Sequence, residues 1–362
     1  MKHPIGSLLE EGRTMTRSPF IRLGATASAL ALLFTSGCAK KTEDTTASST
    51  RTPEQVKIAL VPGGAHPYFQ PWKTTAAEAK TEFKLGDATF NETSGWDQTK
   101  QNDVLKSLAA QGYNAFGIFG VSPENINSTF EDLKRQGFPV ASLASCPAGD
   151  VDKADFCLST DVQQAAYKAA QAAIQAMGGK GNLVHLTGNK VDSNTQRRIA
   201  GVQKAVDETG GKVKVLQVVT DIDTDLQTAQ KAVADLLAAK GSQIQGIVNT
   251  AYNPAVASAE GVKQSKLPIK VIAIDDDPTI LAGVKDGSVS GTVLQNPVGQ
   301  ALVGSYALMK LSGGCTMKQP GVVVDSGSFV VTKSNVDSYE ADRKAKTAEL
   351  RTAFDSQYLS CQ

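Results

Sequence analysis

Histidine, tryptophan and methionine are scarce in this chain of 362 residues, with 3, 2 and 5 copies, and aromatic residues make up only 6%. Any histidine-based chemistry must therefore rest on His66 and His185, because His3 lies in the first few residues. No Gly-x-Ser-x-Gly, His-Glu-x-x-His or Walker-type phosphate loop occurs, so the usual frames for a serine nucleophile, a zinc protease or a nucleotide are missing. Neither sign of charge is in excess: Lys+Arg 37 against Asp+Glu 36 leaves +1, and no long basic run with interleaved aromatics follows the first residues. Nucleic acid is not an expected partner. The apolar run "LGATASALALLF" is too short to be a comfortable membrane span.

What is present, 41% hydrophobic and 20% charged residues over a length sufficient for two domains, is the composition of an ordered globular protein. Arg13, Arg17 and Arg22 before that apolar run, and "TSGCAKK" after it, read as an export leader over residues 1–37, with Met15 as an alternative start. The junction resembles the lipobox of bacterial lipoproteins, which implies that Cys38 carries a lipid; Thr35 departs from the leucine usual three positions earlier. A plain secretory leader is the alternative. Residues 38–55, Thr/Ser-rich and almost without apolar side chains, read as a disordered tether. Such a lipid, at about 0.8 kcal/mol per buried methylene, would hold the body at a membrane surface without spanning it.

Setting Cys38 aside leaves four cysteines, and two disulfides are expected, Cys146 with Cys157 and Cys315 with Cys361. A zinc site lacks the needed spacing, since no Cys-x-x-Cys or His-x-x-x-His accompanies them; buried free thiols are the other alternative.

From "KIALVP" onward, short Val/Ile-rich runs alternate with helical patterns, the order expected of an α/β protein with parallel sheets. One series runs through "ATFNET", "DQTKQNDVLKSLAAQG", "AFGIF", "SPENINSTFEDLKRQG" and "PVASLA", with Ser122 and Pro123 as N-cap and first turn of its last helix. A second series begins after Asp161 and runs to "SGTVLQ". Two such series imply two doubly wound lobes, with ligand beyond the carboxyl ends of the strands. The stretch "VIAIDDDPT" illustrates the rule: Asp275 is the first residue past a strand and faces the crevice, Asp277 precedes a first-turn proline and suits an N-cap, and Asp276 belongs to the turn; the alternative is that all three are simply turn residues.

Four motifs in concordant order then resemble the sugar-binding branch of the type I periplasmic binding proteins, the ribose-binding-protein-like receptors of ABC importers. They are "KIALVPGGAHPYFQPW", with His66, Pro67, Tyr68 and Phe69 in the places of the family's Asn-Pro-Phe-Phe turn; "RRIAGVQKAV", with Arg198 and Gly201; "IAIDDDP"; and "GTVLQNP", with Gln295 and Pro297. The resemblance covers residues 57–335 and implies a three-strand hinge with crossings near Thr160, Asn296 and Ser326. It implies an N-terminal lobe of residues 56–160 plus 296–325, a C-terminal lobe of 161–295 plus 326–336, and leaves 337–362 as a charged helical extension. The implied ligand residues are Asp275, Arg198 and Gln295, joined by His66 and Asn194, with Tyr68 and Phe69 offering ring faces, Trp72 or Trp96 filling space, and Tyr252 beside them. Ala144 and Ser145 depart from the Asp-Arg pair of ribose-type members, and Ala251 from an asparagine.

The function so implied is an exported receptor, monomeric, without cofactor, metal or catalytic residues, that passes a sugar or sugar-like molecule to ABC permease subunits and meets the membrane through its lipid alone. A sensor presenting its ligand to a chemoreceptor, or a hydrolase or metal protein built on Asp275 to Asp277, are the competing readings. A transcription regulator of the same fold would carry a DNA-binding module where this chain has its leader. His185, inside "NLVHLTG", reads as a core residue.

Overall fold

A computed structural model describes residues 50–147 and 153–361; the expected leader, Cys38 and most of the expected tether lie outside the described residues. Residues 51–55, expected as the end of the tether, are part of the folded body. From Arg51, whose N–H donates to the Ser312 carbonyl at 2.9 Å, the chain is bonded to the body, and Pro53–Gln55 forms a 3-10 turn. Among the described residues no helix is long and apolar enough to cross a membrane.

The first series comprises β1 (Lys57–Val61), α1 (Gln70–Glu82), β2 (Asp87–Phe90), α2 (Gln98–Ala110), β3 (Ala115–Ile118), α3 (Ile126–Arg135), β4 (Val140–Leu143) and β5 (Phe156–Ser159). The second comprises α4 (Val162–Ala176), β6 (Gly181–Leu186), α5 (Ser193–Asp207), β7 (Val213–Val219), α6 (Leu226–Lys240), β8 (Gly246–Asn249), α7 (Tyr252–Ser265), β9 (Lys270–Ile274), α8 (Pro278–Asp286) and β10 (Gly291–Leu294). The chain ends with α9 (Pro297–Ser312), β11 (Thr316–Met317), β12 (Val322–Asp325), β13 (Phe329–Val331), α10 (Tyr339–Ala353) and β14 (Leu359–Ser360). One sheet has the order β12-β5-β4-β3-β1-β2 and the other β13-β10-β9-β8-β6-β7. Both are parallel except where β13 runs antiparallel to β10. The same doubly wound order thus occurs twice, each with its topological switch beside the first strand.

Burial follows position in the sheet. The inner strands β3, β4, β8 and β10 are buried at every residue, as strands covered by helices on both faces must be, whereas the edge strands β2 and β7 are only half covered. Helix starts are set by short acceptors: Asp97, Asp161, Asp192, Asp225, Asp277 and Asn296 each accept a backbone N–H of the helix they precede, worth about 1 kcal/mol apiece. The N-cap expected at Ser122 is not formed; residues 122–125 make a turn, because the Asn125 and Ile126 N–H groups both bond the Ser122 carbonyl, and α3 starts at Ile126. Strands β5, β12 and β13 carry no alternating pattern and are not evident in the sequence.

The chain passes from the first sheet to the second between β5 and α4, returns between β10 and α9, and leaves again between β12 and β13. These passages meet at Gln300, in the first turn of α9. Its side-chain amide donates to Ser326 Oγ at 3.0 Å and Thr160 Oγ1 at 3.3 Å, its carbonyl accepts from the Tyr68 hydroxyl at 2.8 Å, and the Thr160 and Ser326 hydroxyls are themselves 3.2 Å apart.

The last segment is not a free extension. Only Tyr339–Ala353 is α-helical; it packs on α9 and places Leu350 in the first core, while Val336 and Tyr339 join the second. Phe354–Tyr358 forms a wider turn, β14 pairs with β11, and a Cys315–Cys361 disulfide closes the end. The Cys146–Cys157 disulfide links the loop after β4 to β5.

Gly201 lies where α5 crosses the alanine-rich α4, and a Cβ there would stand 2.2 Å from the Gln163 carbonyl oxygen. Because that oxygen is backbone, Gly201→Ala is expected to destabilise the protein by about 1–3 kcal/mol, read as a lower urea midpoint. Gln300→Leu takes the acceptor from the buried Tyr68 hydroxyl and leaves the Thr160 and Ser326 hydroxyls only each other, at about 1–3 kcal/mol for each buried group left short of a partner, so a loss of at least about 2 kcal/mol is expected in the same measurement. Wild-type midpoints for these variants would contradict the contacts described.

Candidate ligand site between the two sheets

The carboxyl ends of both sheets open on one cavity of about 420 Å³, within the usual range of about 300–1,000 Å³ for small-molecule sites. Of the residues singled out in the sequence, His66, Tyr68, Phe69, Asn194, Arg198, Tyr252, Asp275 and Gln295 line it. Trp72 does not. It sits on the inward face of α1, fully buried, with its ring 5.0 Å from that of Phe69, because the first turn of α1 points it into the core beneath the cavity wall. Trp96 is the tryptophan that lines the cavity.

Most of these side chains stand a few residues past a strand, while Asn194 and Arg198 come from the first turns of α5. After β1, Gly63 and Gly64 lie under the Trp96 indole, where a Cβ at either would approach ring atoms to 2.9 or 2.8 Å; Trp96 itself has φ +59° and donates its N–H to the Gly63 carbonyl. His66 Nδ1 accepts the Tyr68 N–H at 3.2 Å, which leaves the ring proton on Nε2, 3.6 Å from Asp223 of the opposite lobe. A second contact between lobes is Asn194 Nδ2 donating to Ser145 Oγ at 3.1 Å.

Asp275, 6% exposed, has φ +65°, a left-handed conformation that Asp tolerates, and its carbonyl accepts from Thr292 Oγ1 at 2.8 Å. Its carboxylate accepts from Gln295 Nε2 at 3.1 Å. Burial, reinforced by neighbouring Asp276 and offset by Gln295, Arg198 and His66, pushes this carboxyl up from 3.8 to about 7. Burial and the Asp275 charge likewise push the Tyr68 phenol far above its usual range, so it stays a donor. The other two carboxylates of the triplet point elsewhere: Asp276 pairs with Arg343 of α10 at 2.8 Å, and Asp277 caps α8 and accepts from the Tyr252 hydroxyl at 2.9 Å. Among the described residues no group of three His, Cys, Asp or Glu side chains is arranged to hold a metal ion.

His185 lies beneath the cavity, not in its wall. Its Nε2 is 2.7 Å from Thr250 Oγ1, which donates to Thr187 Oγ1 at 2.9 Å, and burial pushes the imidazole down to about 3, so it is neutral and engages the Thr250 hydroxyl from beneath. Residues not singled out in the sequence include Phe119, Val121, Asp192, Asp221, Asp223 and Thr250. All but Asp192 stand within four residues of a strand's carboxyl end, so the rule that located Asp275 would have found Phe119, Val121, Asp221, Asp223 and Thr250 had it been applied to every strand.

Residues 58–315 match the sequence model of a family described as "Periplasmic binding protein domain". The "Ribose import binding protein RbsB" of Bacillus subtilis is 26% identical over 58% of this chain and 66% of its own length, a little under two thirds. The "D-apiose import binding protein" of Paraburkholderia graminis is 22% identical over 69% of this chain and 78% of its own. Among solved structures, a Burkholderia graminis solute-binding protein in complex with D-arabinose superposes with TM-score 0.71 at 23% identity, over 80% of this chain and 99% of that one. A Bacillus halodurans solute-binding protein with bound myo-inositol gives 0.70 at 17% identity, over 79% and 98%. At these identities the solved structures speak for the fold.

The folded protein retains the Asp275 proton up to about pH 7, whereas the unfolded chain releases it near 3.8. Its contribution to stability is therefore full below the lower value and lost as pH rises through the upper one. Urea unfolding of the unliganded protein from about pH 4 to about pH 8 is expected to show this decline, and Asp275→Asn to flatten it; parallel profiles for the two proteins would refute the assignment.

Proposed function

The chain belongs to the periplasmic binding protein family, and on that premise we propose that it is the exported receptor of an ABC importer, capturing a sugar or sugar-like molecule between its lobes and delivering it to a membrane permease. The observation that carries this reading is the set Asp275, Arg198, Gln295 and Asn194 on the second lobe, gathered opposite ring faces on the first. Carboxylate, guanidinium and amide groups hold vicinal hydroxyls in paired hydrogen bonds, and rings cover the C–H face of a sugar. Sugar import is also the role printed in the names of the ribose and apiose relatives.

Binding and release follow from the hinge. Ligand that bridges the lobes favours closure, and the His66–Asp223 and Asn194–Ser145 contacts are those that closure makes and opening breaks. No reaction is assigned to the site, because Asp275 has amide, guanidinium and phenol neighbours and no nucleophile beside it. The protein acts as a monomer, and Cys38 carries the lipid that keeps it near its permease.

The test is a thermal-shift and small-angle scattering screen of pentoses, hexoses and myo-inositol together with their methyl and phenyl derivatives. A bound compound at a hundredfold its Kd stabilises by about 2.7 kcal/mol and should compact the particle. Asp275→Ala and Arg198→Ala are expected to abolish both responses while leaving the unliganded protein folded. If no compound in the set produces either response, the receptor reading fails.

A further inference from the structure

The two walls of the cavity differ in kind. The second-lobe wall presents Asp275, Arg198, Gln295, Asn194, Thr250 and Asp223, and the Arg198 guanidinium lines it. The first-lobe wall is made of Phe69, Trp96, Phe119, Val121 and Ala144, with polar side-chain atoms only on His66, Tyr68 and the Trp96 indole.

Most polar groups of that first-lobe wall are already engaged inside the lobe. The Tyr68 hydroxyl donates to Gln300, and His66 Nδ1 accepts from the Tyr68 N–H. Gln101, buried behind the wall, donates to the Phe119 and Pro62 carbonyls and accepts from the Val121 N–H. The Ala144 N–H bonds Leu158, and its carbonyl accepts from Ser159 Oγ. What remains for a ligand is ring surface and the N–H groups of Trp96 and His66.

The rings do not form a flat platform. Phe69 and Phe119 are 5.2 Å apart and inclined at 64°, Trp96 and Phe119 are 6.1 Å apart at 88°, and Phe69 and Trp96 are 6.3 Å apart at 45°. The three rings meet at contact distance, so they present the cavity with one continuous aromatic surface, carried chiefly by Trp96, 47% exposed, and Phe119, since Phe69 is only 3% exposed. A hydroxyl placed against that surface would give up water without a replacement partner, whereas an apolar group there would remove ring surface from water.

We propose that the ligand is a sugar or polyol bearing an apolar substituent, with its hydroxyl edge on Asp275, Arg198 and Gln295 and the substituent lying against Trp96 and Phe119. The inference rests on the receptor reading above and narrows it.

Isothermal titration of the protein with D-ribose, L-arabinose, D-glucose and D-galactose, each beside its methyl and phenyl glycoside, tests it. At least one phenyl glycoside is expected to bind about tenfold or more tightly than its parent sugar, with the methyl glycoside between them. Trp96→Ala should compress that ratio to within about twofold. Val121→Asn, on the same wall, should do likewise and gives a second reading should the first variant fold poorly. Parent sugars binding as tightly as all their glycosides, or an unchanged ratio in both variants, overturns the inference and leaves the receptor reading standing. Absence of binding by sugars and glycosides alike overturns both.

Discussion

Three passages of the chain between two sheets meet at the side chain of one buried glutamine, and the rest of the molecule depends on that meeting. Gln300 offers its amide hydrogens to Thr160 and Ser326, on two of the passages, while it stands on the third. A buried amide without partners is costly, and so are buried hydroxyls; each group here is the partner of the others, which holds the passages in register. The Tyr68 hydroxyl completes the set from the cavity wall. Its phenol remains protonated because burial and the Asp275 carboxylate both oppose ionisation, so the same hydrogen bond ties the wall of the site to the hinge.

The C-terminal segment adds a second connection between the lobes. Leu350 and Phe354 of this segment lie in the first core, Arg351 pairs with Glu82 of α1, and the Cys315–Cys361 bridge fastens the end. At its start, Val336 and Tyr339 lie in the second core, and Arg343 reaches Asp276. Midway, Thr347 Oγ1 accepts from Asn296 Nδ2 at the middle passage. The helix therefore runs from one lobe to the other across the hinge. Its arginine also partly balances the carboxylate adjoining Asp275, whose charge otherwise works against ionisation of the site aspartate.

The cavity brings together a buried carboxyl whose proton is held up to about 7 and a wall of aromatic rings with few free polar atoms. Both follow from the same low-dielectric setting: the rings exclude water from Asp275, and exclusion of water raises the energy of its charge. On the proposed reading, a ligand hydroxyl that donated to Asp275 would replace the lost water and favour the ionised form, which would link recognition to protonation.

Periodicity and strand-end chemistry were legible in the sequence: Val/Ile-rich runs covered on both faces, Asp and Asn before helices, the two alternating series that mark the two doubly wound lobes, and the place of Asp275 at a strand end. These are local properties, since a residue's distance from a strand end and its place in a helix turn are set by backbone geometry alone; Arg198 and Gln295 entered only through the motifs the chain shares with a known family. Which tryptophan faces the cavity, that Asp276 pairs with an arginine 67 positions later, that α10 joins both cores, and that Gln300 gathers three passages were decided only in the tertiary structure. Trp72 and Trp96 have equivalent chemistry, and the choice between them turned on the helix that carries one inward and the glycine pair that lets the other lie flat. Such contacts join residues far apart in the chain, and no local pattern encodes them.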